Sequence, residues 1–441
     1  MVDDGMAKGP SARRLAARVL QDVERGGGFS NRALSRQLER HPGLDPRDRG
    51  LTTTLVYGVL RHRARLDAHI DTHAKRPKGL KGETRQVLRI AAYEMLDLER
   101  PPAIAVSEAL RSLERAGPLR GAVQAILGAI GRQGAELDAK WATGKPLHVL
   151  ERRWSIPRWL GGRWLKHLGE DVALARARAI ASAPPVDLRV DLGRISADEA
   201  AQRLQADHPG IEIERNDDQP QALRTRGGGD IFYGPLHGEG LVSVQGLAAQ
   251  QPARVLSPAP GSRVLDACAG MGVKTLQLAE LMDGKGTIVA ADLDAHQVSE
   301  AEAQYSRGRL ASPDLTLTHV QADLADDNPT LDAAPFDAVL LDVPCTGLGN
   351  LARHPEIRWN RTFEDIGARA ELQARLLRRN LARVDAHGVL VYAVCSFAPE
   401  EGTQLVASIV EEGLASLEHE RTWTPEADGT EGFYVARLRP R

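Results

Sequence analysis

The chain has 441 residues, of which 42% are hydrophobic and 26% charged, so it is long enough for two or three domains with cores of their own. Its three cysteines are too few for a disulfide framework and match no zinc spacing. It contains neither a signal-peptide core nor an apolar run of the roughly 18 residues that a membrane helix needs. We therefore expect a soluble, monomeric, cytoplasmic protein with no metal site and no membrane segment.

The net charge of −2 hides an uneven distribution of charge along the chain. Residues 1–145 contain 26 lysines and arginines against 17 acidic residues, whereas the remainder carries an excess of 11 acidic residues. A basic segment joined to an acidic one is typical of a protein that binds nucleic acid through its basic part. Solvated helix faces would produce the same excess, so charge alone leaves both interpretations open.

Helical periodicity dominates residues 9–133. Apolar residues recur at helical spacing in the stretches 15–23, 51–60 and 87–95, and loops rich in glycine and proline separate these stretches. We therefore expect an all-α bundle that forms the first domain.

A connector and a small mixed α/β unit are expected over residues 134–239. Four of the six tryptophans fall between residues 141 and 164, where they either pack the connector against its neighbours or stack on bases. After the connector, strands at 187–191 and 211–214 flank a helix at 196–205.

Strands and helices alternate from residue 240 to residue 441, which is typical of a doubly wound sheet. In such sheets ligands bind beyond the carboxyl ends of the strands, and here those ends carry acids and cysteines. The expected strands are 263–267, 287–292, 316–321, 336–342, 388–394 and a final one at 432–438.

A glycine turn follows the first of these strands and precedes an amphipathic helix. Gly270 and Gly272 allow the backbone to approach a ligand, and the helix N-terminus offers free N–H groups. A Walker loop requires glycine where Val273 stands, and a dinucleotide fingerprint requires glycine where Thr275 stands. S-adenosylmethionine remains as a third ligand, because Asp292 ends the next strand and suits its ribose. An ordinary tight turn is the other interpretation of the glycines.

All three cysteines lie at expected strand ends of this domain, where a small buried hydrophobe is the ordinary alternative. A thiol beside S-adenosylmethionine suggests methylation of cytosine at carbon 5, which is a poor nucleophile until a thiolate adds to carbon 6. This covalent catalysis needs an activated cysteine and an acid that holds charge on the ring, a role that suits Asp342. A second thiol can assist product release.

Four motifs together resemble those of the Sun-type RNA cytosine-C5 methyltransferases. Here they are Asp-Ala-Cys-Ala-Gly-Met-Gly-Val-Lys-Thr at 266–275, Asp-Val-Pro-Cys at 342–345, His-Pro-Glu-Ile-Arg-Trp at 354–359 and Val-Cys-Ser at 394–396. The helical region also contains stretches, at 45–50, 56–61 and 92–96, that resemble the bacterial antitermination-factor (NusB-like) fold, an RNA-binding domain. That combination implies the RsmB-like subgroup, which methylates small-subunit ribosomal RNA.

The resemblance also implies roles for individual residues. Cys395 corresponds to the nucleophile, Cys345 to a cysteine implicated in product release, and Asp342 to a third catalytic group. Arg358 and Trp359 correspond to a motif near the substrate side. The implied contacts to S-adenosylmethionine are Cys268, Ala269, Gly270, Met271, Gly272, Val273, Lys274, Asp292, Asp323 and Asp342.

The chain departs from the family pattern at four positions. Met271 and Val273 replace a proline and a glycine of the cofactor loop, Val394 replaces the threonine before the nucleophile, and Gly246 replaces an aspartate after Gln245. A transfer RNA cytosine-C5 methyltransferase is the main alternative within the enzyme class. An RNA-binding ribosome assembly factor that retains the fold without turnover is the alternative from another class.

Overall fold

The computed structural model describes residues 11–26, 28–113, 119–227, 231, 234–308 and 312–441. The chain forms two compact units, Met1–Ala183 with Leu351–Thr362, and Pro184–Asn350 with Phe363–Arg441. The expected boundaries of three domains, at 9–133, 134–239 and 240–441, stay a prediction.

The first unit is helical, as the apolar periodicity predicts. Leu15, Val19 and Val23 lie on one face of its first helix and are buried. Its helices from the first 183 residues are α1 (Ala12–Gly26), α2 (Ser30–Glu39), α3 (Pro46–Arg61), α4 (Arg63–His73), α5 (Gly82–Leu96), α6 (Pro102–Ser112), α7 (Arg120–Trp141), α8 (Pro146–Arg152), α9 (Arg158–Leu168) and α10 (Glu170–Ala179). Across the described ranges of the chain, no helix is both long enough and apolar enough to cross a membrane.

Helices α1 to α7 share one apolar core, in which α1, α3 and α5 contribute their predicted faces. Asp45 begins α3 by accepting a hydrogen bond from the N–H of Arg47, with Pro46 at the first helical position. In the connector, Trp141 and Trp164 are buried, and Trp141 lies beside His69 with ring centroids 4.6 Å apart. The interpretation that the tryptophans pack the connector against its neighbours is therefore confirmed for Trp141. Trp164 packs within the connector, where it lies against Arg176 of α10.

The second unit begins with a four-stranded antiparallel sheet. Its order is β2-β3-β1-β4, and the buried faces of its strands pack against a helix. The elements are β1 (Val186–Val190), α11 (Ala197–Asp207), β2 (Glu212–Arg215), β3 (Ala222–Arg226), α12 (Pro235–Gly238) and β4 (Val242–Val244).

A seven-stranded sheet occupies the rest of this unit, in the order β10-β11-β9-β8-β5-β6-β7. The five strands from β9 to β7 are parallel, and β11 and β10 continue the sheet in antiparallel pairing. The elements of this part of the second unit are α13 (Gln251–Leu256), β5 (Arg263–Ala267), α14 (Val273–Leu281), β6 (Gly286–Asp292), α15 (Ala295–Gly308), β7 (Leu315–Gln321), β8 (Phe336–Asp342), α17 (Glu364–Leu381), β9 (Val384–Val394), α18 (Thr403–Glu411), β10 (Ala415–Trp423), α19 (Pro425–Asp428) and β11 (Phe433–Pro440). Between β8 and α17 the chain forms α16 (Ile357–Asn360), which belongs to the first unit.

The central strands are buried on both faces, so their side chains alternate between two apolar layers. Leu265 and Ala267 of β5 join one layer, and Val264 of the same strand joins the other. The strand order reverses between β5 and β8, since β5 is followed outward by β6 and β7 and β8 by β9. This is the switch point of the expected doubly wound domain, where such sheets bind their ligands.

The segment Leu351–Thr362, which contains α16, belongs to the helical unit. The carboxylate of Glu356 accepts hydrogen bonds from the N–H and hydroxyl of Ser30, at 3.0 and 2.8 Å. The indole of Trp359 donates to the carbonyl of Leu60 at 2.8 Å. Arg358 is 1% exposed and donates to the carbonyls of Arg61 and Ile180 at 3.0 and 2.9 Å.

Burial and the nearby charge of Arg61 lower the pKa of Arg358 to about 9. Backbone carbonyls bind this guanidinium, and because the side chain is buried it is not accessible to an RNA. Arg358 and Trp359 hold the inserted segment in the helical unit through these hydrogen bonds. Their place near the substrate side, which the resemblance implies, stays a prediction.

Candidate active site

The glycine turn after β5 is built from three residues with left-handed backbone angles. Cys268, Gly270 and Gly272 have φ values of 61, 57 and 80°, which is costly for a cysteine and easy for the glycines. The N–H of Gly270 donates to the carboxylate of Asp292 at 2.9 Å. The structure thus brings together the loop and the acid of the next strand, as the sequence predicts.

Asp266, the last acid within β5, is fully buried below this loop. Thr275 donates its hydroxyl hydrogen to one carboxylate oxygen at 2.6 Å, and the other oxygen has no partner within the described structure. Burial raises the pKa of Asp266 to about 7, although the hydrogen bond from Thr275 and the charge of Lys274 oppose that shift. The carboxyl group is therefore half protonated near neutral pH.

This raised pKa predicts how stability changes with pH. The unfolded carboxyl loses its proton near its usual pKa of 3.8, whereas the folded one keeps it until about 7. The contribution of Asp266 to stability is therefore fully present below pH 3.8 and is lost as pH rises towards 7, by at most about 1.4 kcal/mol per pH unit.

We expect the isosteric variant Asp266→Asn, which cannot ionise, to gain stability relative to the unmodified protein as pH rises over this interval. Urea midpoints at about pH 5 and pH 8 measure the difference. Asp337→Asn, at an exposed position of β8, is the control. If the urea midpoint of Asp266→Asn differed from that of the unmodified protein by the same amount at both pH values, the assignment of the shift to Asp266 would be contradicted.

Lys274 and Asp342 form an ion pair at the carboxyl end of β8. The ammonium of Lys274 donates to the carboxylate of Asp342 at 2.6 Å and lies 5.7 Å from the ring centroid of Phe433. Burial disfavours the ammonium, but the charge and hydrogen bond of Asp342 outweigh it and raise the pKa of Lys274.

Two thiols meet at the ends of the adjacent parallel strands β8 and β9. The sulfurs of Cys345 and Cys395 lie 3.0 Å apart, although fifty residues separate them in the chain. The hydrogen bond with Cys395, together with burial, raises the pKa of Cys345, so this group stays a thiol at neutral pH. The expectation that the two cysteines are neighbours is confirmed.

A buried carboxylate, Glu401, joins the two cysteine-bearing turns, and the sequence analysis did not single it out. It accepts hydrogen bonds from the N–H of Thr346 at 2.8 Å and from the hydroxyl of Ser396 at 2.6 Å. Gln373 donates to it at 3.1 Å. The sequence offers one signal for this role: Glu401 follows Ser396 by only five residues, and a turn that carries a catalytic group needs nearby side chains that hold it by hydrogen bonds.

The remaining predicted residues line the rim of the same sheet edge. Asp323 is exposed beyond β7 and accepts a hydrogen bond from the N–H of Ala325 at 2.9 Å. Met271, in the glycine turn, and Leu293, directly after Asp292, are 48% and 64% exposed. Within the described residues, no group of three histidine, cysteine or acidic side chains is placed to hold a metal ion.

A doubly wound sheet with a glycine turn at its switch point and an acid on the neighbouring strand defines a Rossmann-like domain of the kind that binds a nucleoside-containing cofactor. Residues 253–439 match the model of the 16S rRNA methyltransferase RsmB/F family. Residues 10–132 match the NusB family, and residues 156–231 match the ferredoxin-like domain of RsmF/B-like methyltransferases. The chain belongs to the RsmB/F family.

Relatives named for this activity match almost the whole chain, and a solved structure shares its fold. A probable ribosomal RNA small subunit methyltransferase B of Synechocystis is 30% identical, over 97% of this chain and 99% of its own length. Ribosomal RNA small subunit methyltransferase B of Pseudomonas putida is 32% identical, over 97% and 98% of the two chains. The crystal structure of PH0851, 23% identical, superposes with a TM-score of 0.78 over 98% of this chain and 99% of its own, which shows the common fold.

Proposed function

We propose that this protein transfers the methyl group of S-adenosylmethionine to carbon 5 of a cytosine in small-subunit ribosomal RNA. The observation that carries the proposal is the pair of thiols, Cys345 and Cys395, 3.0 Å apart at the strand ends beside the glycine turn. Methyl transfer to a nitrogen or oxygen does not require a nucleophilic thiol, whereas methyl transfer to carbon 5 of cytosine does. The names of the relatives supply the class of RNA.

The glycine turn and the residues after β6 offer a hydrogen-bond acceptor and apolar side chains that suit S-adenosylmethionine. Asp292 offers its carboxylate to the ribose hydroxyls, and the exposed side chains of Met271 and Leu293 offer apolar area to the adenine. Gly270 and Gly272 have left-handed backbone angles that favour glycine, and because glycine has no side chain the ligand can approach the backbone there. When bound, S-adenosylmethionine supplies an electrophilic methyl group.

Cys395 is the nucleophile in this proposal. Its thiol loses its proton to solvent, and the thiolate sulfur forms a bond to carbon 6 of the cytosine. The electron pair of the double bond between carbons 5 and 6 moves towards carbon 5 and makes that atom able to take the methyl group. The carboxylate of Asp342 accepts a hydrogen bond from the amino group of the ring, and its partner Lys274 supplies the positive charge that balances the negative charge developing there. The base must be unstacked to expose carbon 6, which favours a single-stranded or flipped cytosine.

Cys345 completes the cycle. After methylation, a water molecule takes the proton from carbon 5. The electron pair of that C–H bond forms the double bond between carbons 5 and 6, and the bond between carbon 6 and the sulfur of Cys395 breaks to release the thiolate. The sulfur of Cys345 lies beside that of Cys395 and is placed to assist this release. Its raised pKa keeps it in the thiol form, which can donate a hydrogen bond to the departing sulfur.

The direct test is to incubate the protein with methyl-labelled S-adenosylmethionine and a mixture of small-subunit ribosomal RNA and transfer RNA. We expect the label in 5-methylcytosine from the ribosomal RNA, identified by nucleoside chromatography and mass spectrometry. Label in transfer RNA or in another nucleoside would overturn the assigned substrate or position. RNA binding without transfer of label would make the protein an assembly factor.

The role of Asp292 gives a prediction about binding of S-adenosylmethionine. A charge-assisted hydrogen bond contributes roughly 1.5–3 kcal/mol, so we expect Asp292→Ala to raise the dissociation constant about ten- to a hundredfold. Loss of the hydrogen bond to Gly270 would add to this effect by loosening the turn. Calorimetric titration measures the affinity, and Asp314→Ala, at an exposed position on the same half of the sheet, is the control. Normal affinity in Asp292→Ala would contradict this role.

The helical unit presents a basic loop between α4 and α5, which we assign to RNA contact. Residues 75–81 contain four exposed cations and no acid. Among the described residues, none of the four has a carboxylate within ion-pair distance, so their charge is free to neutralise phosphates. They are Lys75, Arg76, Lys78 and Lys81.

Replacement of these four cations by glutamine is expected to weaken RNA binding and to flatten its dependence on salt. Since each phosphate contact contributes roughly 0.7–0.9 to the slope of log affinity against log salt, the slope should fall by up to about 3. Fluorescence anisotropy over a range of salt concentrations measures it.

A matched control removes the same charge from arginines that already pair with an acid. Because those charges are neutralised within the protein, their loss should leave the slope nearly unchanged. The four control residues are Arg203, Arg215, Arg378 and Arg421. Equal effects of the two quadruple variants would show that only net charge matters and would remove the loop from the interface.

A further inference from the structure

The family resemblance implies an aspartate where this chain has Gly246. The space that its side chain would occupy is taken by a side chain from elsewhere in the chain. The backbone of Gly246 does not have a positive φ, so its conformation would admit a side chain. The space would not, because a Cβ atom at this position would overlap the carboxylate of Glu431. That carboxylate belongs to the residue two before β11 and is 182 residues from Ala249, which it contacts.

Glu431 holds the turn that contains Gly246. One of its carboxylate oxygens accepts a hydrogen bond from the N–H of Ala249 at 2.9 Å, and the other accepts one from the hydroxyl of Thr430 at 2.7 Å. The side chain is only 8% exposed. The amide of Gln245 secures the same turn from the other side by donating to the carbonyl of Ala249 at 2.9 Å. A charged acceptor therefore organises a short backbone turn that contains no carboxylate of its own.

The residue after Glu431 connects this turn to the proposed nucleophile. The N–H of Gly432 donates to the carbonyl of Gly349 at 2.9 Å, and the N–H of Gly349 donates to the carbonyl of Cys395 at 3.0 Å. The approach is close enough to require glycine on both sides, since a Cβ atom at Gly349 would overlap the carbonyl of Gly432. A displacement of Glu431 is thereby transmitted through two backbone hydrogen bonds to Cys395.

The strand that follows also borders the ion pair of the site. Phe433, the first residue of β11, has its ring centroid 5.7 Å from the ammonium of Lys274, which pairs with Asp342. The start of β11 lies beside the carboxyl end of β9, because Tyr434 is paired with Val394 in the antiparallel register. Glu431 therefore lies at the same edge of the sheet as the thiols and the ion pair.

We propose that Glu431 is a positioning residue of the methyl-transfer reaction, which supplies from the start of β11 the carboxylate that the chain lacks at position 246. It acts by fixing the 246–250 turn and the glycine contacts that hold Cys395. This inference rests on the proposed function, in which Cys395 is the nucleophile. Carboxylates at positions 246 and 431 are alternatives for one space, so this chain accommodates one of them at a time.

The test is a cycle of four proteins in the full chain: the unmodified protein, Glu431→Ala, Gly246→Asp and the double variant. Glu431→Ala should lower kcat about ten- to a hundredfold, with the KM values for RNA and S-adenosylmethionine unchanged within about threefold. Gly246→Asp alone should also lower kcat, because two carboxylates then compete for one space. In the double variant the new aspartate takes that space, and kcat should recover to within about threefold of the unmodified protein.

Two further variants make the outcome specific. Glu431→Gln keeps the shape and one acceptor oxygen without the charge, so its kcat should lie between those of the unmodified protein and Glu431→Ala. Glu418→Ala removes a carboxylate of the same hairpin that pairs with Arg437 and Arg439, and it should leave kcat unchanged. Melting temperatures identify any variant that has lost its fold.

A double variant no more active than the single variants would overturn the proposal. So would a loss of melting temperature in Glu431→Ala with no change in kcat, since that result would assign Glu431 to stability alone. Failure of the proposed function would be distinct, because the unmodified protein itself would then place no label on carbon 5 of cytosine.

Discussion

Replacement of Cys395 by alanine is expected to abolish methylation, with a loss of at least about 10⁴-fold in rate that leaves only background signal. Without this sulfur no bond forms to carbon 6, and carbon 5 is not a strong enough nucleophile to take the methyl group. Binding of S-adenosylmethionine and of RNA should persist, because the contacts proposed for both lie on other residues. Single-turnover transfer of labelled methyl groups measures the loss.

The neighbouring cysteine gives the opposite result under the same conditions. Cys345→Ala should still form the bond between the sulfur of Cys395 and carbon 6 but release the methylated RNA slowly. A protein–RNA species that survives denaturation should therefore accumulate, visible as a shifted band on a denaturing gel.

The double variant Cys345→Ala with Cys395→Ala is the matched control and should form no such species. An adduct in Cys395→Ala alone would exchange the two roles. Full activity without an adduct in Cys345→Ala would make Cys345 a structural residue, although its sulfur lies 3.0 Å from that of Cys395.

Asp342→Asn should cause the next largest loss, a fall in kcat of about 10²–10⁴-fold. The substitution preserves shape but removes the charge that balances the buried ammonium of Lys274, 2.6 Å away, and the acceptor proposed to hold the cytosine ring. Pre-steady-state kinetics with saturating RNA and S-adenosylmethionine isolate this effect on the chemical step.

Asp323→Asn is the comparison for Asp342→Asn, because it removes the same charge from an exposed position at the same sheet edge. Its expected effect is a higher KM for S-adenosylmethionine with kcat little changed. If both variants lost kcat equally, the charge of the sheet edge rather than the pairing of Asp342 with Lys274 would control the reaction.

Much of the catalytic sheet could be predicted from local pattern. The predicted strands at 263–267 and 336–342 agree with β5 and β8 at both ends. Strands buried on both faces are continuous apolar runs, and a polar residue ends each run where the chain leaves the sheet. For the same reason Asp266, Asp292 and Asp342 could be assigned to strand ends before any contact was known.

Strands with a solvated face were harder to predict. β10 has six consecutive exposed residues and lies at the edge of the seven-stranded sheet, so it lacks the apolar run that identifies a strand. β3 is mostly buried, but it is short, two of its five residues are arginines, and only its antiparallel pairing with β2 and β1 identifies it as a strand. Neither strand was predicted, because pairing with a neighbour rather than its own hydrophobicity defines each one.

The motif at 354–359 shows what a motif leaves open. Its resemblance correctly identified the family, yet Arg358 and Trp359 pack in the helical unit, where carbonyls of Arg61 and Leu60 accept their hydrogen bonds. A motif conveys which residues recur together. It does not convey whether a cation meets a phosphate or a buried carbonyl, because both are acceptors.

The sequence by itself determined the order of the elements, the family and the chemical groups at the carboxyl ends of the strands, because these depend on neighbours close in the chain. Only the tertiary structure decided which buried carboxylates hold those groups in place. Glu401 ties the turns of Cys345 and Cys395, and Glu431 fills the space at Gly246. Hydrogen bonds depend on distance and angle between atoms, and residues up to 182 positions apart in the chain acquire that geometry only when the sheet has formed.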